Sequence, residues 1–345
     1  MASDPHAACS FCGKPAQMKC NGCKTHMYCQ KECQVRDWPN HKVICKAQRL
    51  EQAIERMANI THQAYLTFRE NTWDTPIEKI EDKEDELVIF DGDQKLNLRN
   101  FTPFPDKLVK NDRTKMAMLC MLICNEPLAF MHSLITKLLR GVDVTVEELQ
   151  VQLRTVPRKA IFVAPDGSRQ SNWPEFSHMV LRLKSVKSGK QWVVDLSGGQ
   201  YGICQPFWDW EIYVANYVGK ITAIYSSGTQ RELITELAKI DGNPVLTYRL
   251  VQDAADQLNK AVDIWEERHM KLSRLLFLGD AAYRQQEMSL LDIMKAAVRS
   301  FINSTDFAKP VQAARAYEQA NPGFSQRKCC DRAMLLQSVN LLNEH

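Results

Sequence analysis

Seven of the twelve cysteines fall within the first 45 residues: Cys9, Cys12, Cys20, Cys23, Cys29, Cys33 and Cys45. The run YCQKECQVRDWPNHKVIC (28–45) sets three of them among charged and polar residues. A free cysteine is ordinarily buried as a small hydrophobe, and these have no apolar neighbours to be buried with. The spacing supplies another reason for them. Cys9/Cys12 and Cys20/Cys23 are C-x2-C pairs, while Cys29/Cys33 and His41/Cys45 are separated by three residues. Two intervening residues let the backbone curl until both sulfurs meet one ion. A gap of three sets the ligands at i and i+4, on one face of a helical turn. Gly13 and Gly22, at the two C-x2-C knuckles, relieve backbone crowding where the chain turns toward a metal. Four pairs make eight donors, enough for two tetrahedral zinc sites. A disulfide framework fits poorly, because the cluster's cysteine count is odd and the opening MASDPHAACSFCGK has no apolar signal-peptide core. Spacing alone does not say which pairs share an ion.

The pattern C-x2-C-x7-C-x2-C-x5-C-x3-C-x7-H-x3-C carries Tyr28 before Cys29, Gln34 after Cys33, then Asp37-Trp38 and His41-Lys42. It resembles a MYND-type zinc finger over residues 9–45, with every ligand position filled. The resemblance implies interleaved sites: Cys9, Cys12, Cys29 and Cys33 on one zinc, and Cys20, Cys23, His41 and Cys45 on the other. With four protein ligands per ion no coordination position stays open, so both ions are expected to be structural. Such a short unit cannot bury enough surface to fold alone, and each site would supply on the order of 10 kcal/mol. His6 and His26 are not expected to ligate, since all eight positions are taken, and Tyr28 and Trp38 are expected to pack. The resemblance further implies that the finger recognises a short, proline-containing peptide of a partner protein.

The bulk numbers agree with a protein partner more than with nucleic acid. Net charge is only +3. Residues 1–50 carry eight Lys/Arg against three Asp/Glu, which seven thiolates and two zinc ions reduce to about +2. No strong basic footprint remains for DNA. No stretch is apolar enough for a membrane span, so an intracellular protein, in cytoplasm or nucleus, is expected. Motifs of phosphate loops, dinucleotide folds and SET-domain methyltransferases were not found in the sequence.

Beyond the finger (1–46) the expected organisation is a helix with an acidic stretch (47–93), then an α+β domain (94–345) that is helical from about 230. Leu50, Ile54, Met57, Ala58, Tyr65 and Phe68 recur at helical steps within 46–70. Residues 74–93 hold nine acidic residues against two lysines, as expected of a solvated linker or domain edge. The apolar run 113–140 predicts two helices broken near Asn125-Glu126-Pro127. Thr145 and Glu148 suggest a capping box opening a short helix through about Arg154. KAIFVA (159–164), HMVLRLKSV (178–186) and KQWVVDLS (190–197) predict strands of a small antiparallel sheet. Residues 211–226 suit strand or helix.

A second feature lies in that sheet. If the strands at 178–186 and 190–197 form a hairpin, His178 and Asp195 can approach as a base and its orienter. The pattern H-x-h-L-x-L followed by W-x-V-D-L-S-x-x-Q-Y-G is similar to the His and Asp strands of papain-like and transglutaminase-like folds, over residues 176–202. That resemblance implies a thiol hydrolase or acyl transferase, or a degenerate relative of one. The nucleophile departs from it. Cys120 and Cys124 sit inside MAMLCMLICNE, which predicts the middle of an apolar helix, where a thiol is inert. An interaction protein without catalysis is therefore the first expectation. The Trp208-Asp209-Trp210 run is expected to pack, and the vicinal Cys329-Cys330 pair to be an accident of adjacency.

Overall fold

Helix α1 (Lys31–Asn71) begins inside the cysteine cluster and runs 41 residues without a break. The computed structural model describes residues 7–92, 101–242 and 246–340, so His6 and the expected boundary at 93/94 lie outside the described residues. A separate helix from residue 46 was the expectation, with short turns around the ligands. Instead Cys33, His41 and Cys45 stand on the first half of α1, although Pro39 lies in its interior. An interior proline removes one hydrogen bond and costs about 3 kcal/mol. Three metal donors on this half of the helix, Cys33 in one group and His41 and Cys45 in another, can offset that. A two-residue ribbon, β1 (Met18–Lys19) with β2 (Met27–Tyr28), completes the N-terminal unit.

The second half of α1 enters the main core. Ala53, Ile54, Met57, Ile60, Tyr65 and Phe68 are buried against residues of the following helices and sheet. Next come β3 (Ile77–Asp82) and β4 (Glu86–Asp91). The acidic stretch is thus no linker but the edge of a sheet ordered β3-β4-β6-β7, with β6 (Lys159–Val163) parallel to β4 and β7 (Arg169–Ser171) antiparallel to β6. Glu78, Glu84 and Asp85 are exposed, but one acid is used internally: Asp82 pairs with Arg158, which is buried, and accepts from Thr114 Oγ1 at 2.6 Å.

The apolar run gives α2 (Asp112–Leu119), α3 (Glu126–Phe130) and α4 (His132–Leu138), with turns between α2 and α3. Cys124 is therefore not in mid-helix as expected. The physical reason is Leu122, whose backbone is left-handed at φ 57° and whose N–H donates to Gln200 Oε1 at 3.0 Å. A helix cannot run through such a residue.

The helix expected after Thr145 is also corrected. Residues 144–153 form β5, which lies between β8 (His178–Ser185) and β11 (Val218–Ser226) in a five-stranded antiparallel sheet ordered β10-β9-β8-β5-β11. Here β9 is Gln191–Val194 and β10 is Phe207–Asp209. Glu148 does cap a helix, but a remote one. Its carboxylate accepts from Gly228 N at 2.7 Å and Gln230 N at 2.9 Å, at the start of α6 (Thr229–Leu237). The ambiguous stretch resolves into both options, α5 (Trp210–Tyr217) and then β11.

The five-stranded sheet is buried on both faces. Met179, Leu181, Leu183, Trp192 and Val194 face the helical core. Val180, Val193, Tyr201 and Tyr213 belong to a second cluster that includes α5. The rest is helical: α7 (Leu246–Arg268), α8 (Leu272–Leu275), α9 (Asp280–Ser304), α10 (Ala308–Ala320) and α11 (Phe324–Asn340). The class is α+β, as expected. Among the described residues no helix is long and apolar enough to cross a membrane.

Candidate metal centres and a buried histidine–aspartate pair

The eight metal candidates gather into two groups, Cys9/Cys12/Cys29/Cys33 and Cys20/Cys23/His41/Cys45, with the donor atoms of each within 4.8 Å of one another. The first C-x2-C knuckle meets the Cys29–Cys33 turn, and the second meets His41 and Cys45 on α1. The spacings test what the groups are for. Cys12–Cys29 is 3.6 Å, Cys29–Cys33 3.5 Å, Cys12–Cys33 3.8 Å and Cys20–Cys45 3.8 Å. These are far beyond a disulfide bond of about 2.05 Å. They match the edge of a sulfur tetrahedron around zinc, about 3.8 Å for bonds of 2.3 Å. His41 Nε2 lies 3.3 Å from Cys20 Sγ and 3.5 Å from Cys23 Sγ, so Nε2 is the nitrogen aimed at the second ion.

Electrostatics call for a cation at both places. The Cys29 thiol and then burial push Cys33 up, while burial and then Cys20 push Cys45 up. The four thiols of the first group, or the three of the second, cannot all ionise so close to one another, and a divalent ion removes that conflict. Neighbours then orient the sulfurs: Thr25 Oγ1 donates to Cys23 at 3.1 Å, and Gln34 Nε2 to Cys20 at 3.5 Å. Gly22 is needed for space, since a Cβ there would stand 2.7 Å from Cys45 Sγ. The His26 ring lies tilted against His41 with centroids 4.1 Å apart and belongs to neither group. Tyr28 is buried and donates to Asp37 Oδ2 at 2.7 Å. Trp38 contacts His41 edge-on at 6.2 Å yet stays 42% exposed.

The donor sets, the interleaving and the tetrahedral spacings decide the module. Residues 9–45 form a MYND finger. They match the family model of that name over the same span, and the two sites suit two structural zinc ions. Over 42 residues the chain is 43% identical to the zinc finger MYND domain-containing protein 10 homolog of Drosophila melanogaster, covering 12% of this chain and 9% of that protein. It is 45% identical over 42 residues to the N-lysine methyltransferase SMYD2 of Rattus norvegicus, covering 12% and 10%. It is 45% identical over 47 residues to dauer abnormal formation protein 25 of Caenorhabditis elegans, covering 13% and 12%. The shared stretch thus spans about a tenth of these relatives. No solved structure matches the chain. The MYND finger is a protein-interaction module.

The sheet holds the other candidate pair. Alternation along β8 puts His178 on the face of Val180, and continuation of β9 puts Asp195 on the face of Val193. There His178 Nε2 and Asp195 Oδ1 stand 2.9 Å apart, with the residues 0% and 1% exposed. Tyr213 on α5 donates its hydroxyl to Asp195 Oδ2 at 2.8 Å, and Ser197 N reaches Oδ1 at 3.2 Å. Tyr201 stands edge-on to the imidazole with centroids 4.8 Å apart. Burial alone would strip the imidazole of its proton, but the Asp195 charge and hydrogen bond, then Cys124, push it up to about 10.

The remaining thiols differ sharply. Cys120 is buried, and burial followed by the Asp195 charge holds its proton on. Cys204 is half-buried, and burial likewise pushes it up. Cys124 is half-buried and lines a cleft of about 270 Å³ with Leu122, Phe176 and Gln200. The apolar neighbours of Cys124 favour a helix by composition, and the Asn125-Glu126-Pro127 break next to it is the sequence signal for the turn. Trp208 packs on Tyr213 and Tyr217 as expected, and Cys329 and Cys330 are free thiols on α11.

Proposed function

We propose that the finger docks a short, proline-containing segment of a partner protein, and that the α+β part serves as the scaffold that carries it in the cytoplasm or nucleus. The observation behind this reading is the apolar surface of the finger. Trp38, Val35, Phe11 and Ile44 remain exposed on a unit whose own core is closed around its cysteines and Tyr28. Half-exposed aromatic rings are what grooves for proline-rich segments present, since such a segment is already extended and loses little entropy on docking. The finger's small net charge leaves nucleic acid a poorer fit.

The test uses the zinc-loaded full chain and a displayed library of proline-containing peptides, with affinities of selected peptides measured by fluorescence anisotropy. Trp38→Ala is expected to weaken binding at least about tenfold, the loss of roughly 1.4 kcal/mol of aromatic contact, while zinc content stays at two per chain. Peptide affinity unchanged by Trp38→Ala would refute this docking face. Affinity that falls steeply with salt, for DNA in place of peptide, would refute the partner class.

A further inference from the structure

The His178–Asp195 pair has the wiring of a catalytic base without an assigned task. Asp195 fixes one ring nitrogen and is itself fixed by Tyr213 and by the Ser197 backbone. The other ring nitrogen, Nδ1, is buried and has no hydrogen-bond partner. A buried polar atom without a partner is uncommon and calls for an explanation. The side chain acting on this ring next after Asp195 is the Cys124 thiol. That thiol now donates weakly to the Ser177 carbonyl, 3.7 Å away, on the residue preceding His178. Cys124 also lines the cleft described above, whereas His178 is sealed behind it.

We propose that Cys124, His178 and Asp195 form a nucleophile–base–orienter triad that cleaves an uncharged acyl donor, such as a peptide amide, bound in the cleft beside Leu122 and Phe176. Closing the triad means exchanging the Ser177 carbonyl for Nδ1, and such contacts often tighten only when substrate binds. The ring, which Asp195 keeps protonated, then holds Sγ as a thiolate, the thiol proton passing to solvent, so the closed triad rests as thiolate and imidazolium. The thiolate attacks the carbonyl carbon, forming a C–S bond. Collapse of the adduct breaks the bond to the leaving amine, which takes the Nδ1 proton. Water next gives a proton to Nδ1 and adds to the thioester, and the C–S bond breaks to release the carboxylic acid. Sulfur leaves as thiolate beside the restored imidazolium, so the net change is hydrolysis with water as the only co-reactant.

The cleft favours this substrate class. Leu122 and Phe176 are each 38% exposed there, and the other lining side chains are the uncharged Gln170, Ser177, Gln200 and Tyr201. An apolar group next to a neutral amide fits such walls better than a phosphate or carboxylate does. The strained Leu122 backbone, held by Gln200, lies two residues before the nucleophile, where stored strain of this kind tends to occur. Around the pair, Tyr201, Tyr213 and Cys120 are all pushed up by burial first, and burial pushes His62 down to about 4. These groups stay neutral across the working range, so the pH slope of Cys124 alkylation there is not set by them.

The experiment is site-resolved alkylation of the zinc-loaded full chain with iodoacetamide, from about pH 5.5 to 8.5, read by peptide mass spectrometry. An ordinary thiol loses about tenfold in rate for each pH unit below its pKa of roughly 8.5. Cys124 is expected to keep a nearly flat rate and to exceed Cys204 by at least about tenfold near pH 6.5. p-Nitrophenyl acetate is expected to release a burst of p-nitrophenol close to one equivalent and to leave an acetyl group on Cys124. Cys124→Ser, which changes one atom, should abolish the burst with zinc content and thermal midpoint unchanged. Asp195→Asn should restore a steep pH dependence to Cys124 alkylation. The proposal is overturned if Cys124 alkylates with the rate and pH slope of Cys204, or if the burst survives Cys124→Ser. Both results come from the wild type or a near-isosteric variant, so they stand even if Asp195→Asn does not fold. Peptide docking on the finger is measured separately and does not depend on the outcome.

Discussion

Removing zinc should melt half of α1 and leave the other half in place. The helix has two anchors. From Lys31 to Cys45 it carries three ligands, and apart from these its residues there are mostly exposed. From Ala53 to Phe68 it buries five large side chains, Ile54, Met57, Ile60, Tyr65 and Phe68. At 1.5–3 kcal/mol for each buried side chain, the second anchor is worth about 8–15 kcal/mol before entropy. Each structural zinc supplies about 10–16 kcal/mol to the first. The anchors are comparable and separate, so losing one does not remove the other. The stretch 31–50 alone is marginal as an isolated helix of about 20 residues, and Pro39 within it subtracts about 3 kcal/mol more. Treatment with a strong chelator should therefore remove about 20 residues of helix from the circular dichroism signal. Hydrogen exchange should show amides of 31–50 becoming fast while those of 53–71 keep their protection. Loss of protection through 53–71, or retained protection in 31–50 without metal, would refute the two-anchor argument.

Gly22→Ala places a Cβ 2.7 Å from Cys45 Sγ; elemental analysis should find zinc falling from two per chain toward one, and an unchanged two would contradict the crowding. Asp82→Ala leaves Arg158 buried without its carboxylate and should cost about 3 kcal/mol in denaturant unfolding, the low end for a broken pair because the Asp82 side chain keeps 14% exposure. Burial pushes the Asp82 carboxyl up, but Thr114, Arg158 and Asn111 outweigh it and hold it below the usual range. Its stabilisation is thus complete above the unfolded value of about 4 and fades as pH falls through the lower folded value. Wild type minus Asp82→Ala stability, measured against pH, should shrink in that acid window and nowhere above it. Gly198→Ala would press a Cβ to within 2.7 Å of the Ile203 carbonyl and against the Asp195 carboxylate; a loss of about 1–3 kcal/mol is expected, and an unchanged melting temperature would show that the segment gives way.

What could be read from the chain beforehand was whatever a short spacing encodes. Gaps of two and three residues bring donors together locally, so all eight ligands were visible in residues 9–45. Alternation by two put His178 and Asp195 on one face of the sheet. The misreadings share one cause, a partner far along the chain that overrules a local preference. Glu148 has the chemistry of a helix cap, but it caps α6, some 80 residues away. The charge of Asp82 suggests solvent, but Arg158, 76 residues on and just before β6, draws it inward. α1 continues across Pro39 because its ligands answer to knuckles outside the helix. MAMLCMLICNE has the composition of a helix, yet Gln200 takes the Leu122 N–H and turns the chain, which leaves Cys124 beside a cleft. Local rules and observed structure part company where function is concentrated more often than elsewhere. Of the four departures, the one at Pro39 lies among the finger's ligands and the one at Leu122 beside the proposed triad, and only the finger announces itself in the spacing of its cysteines.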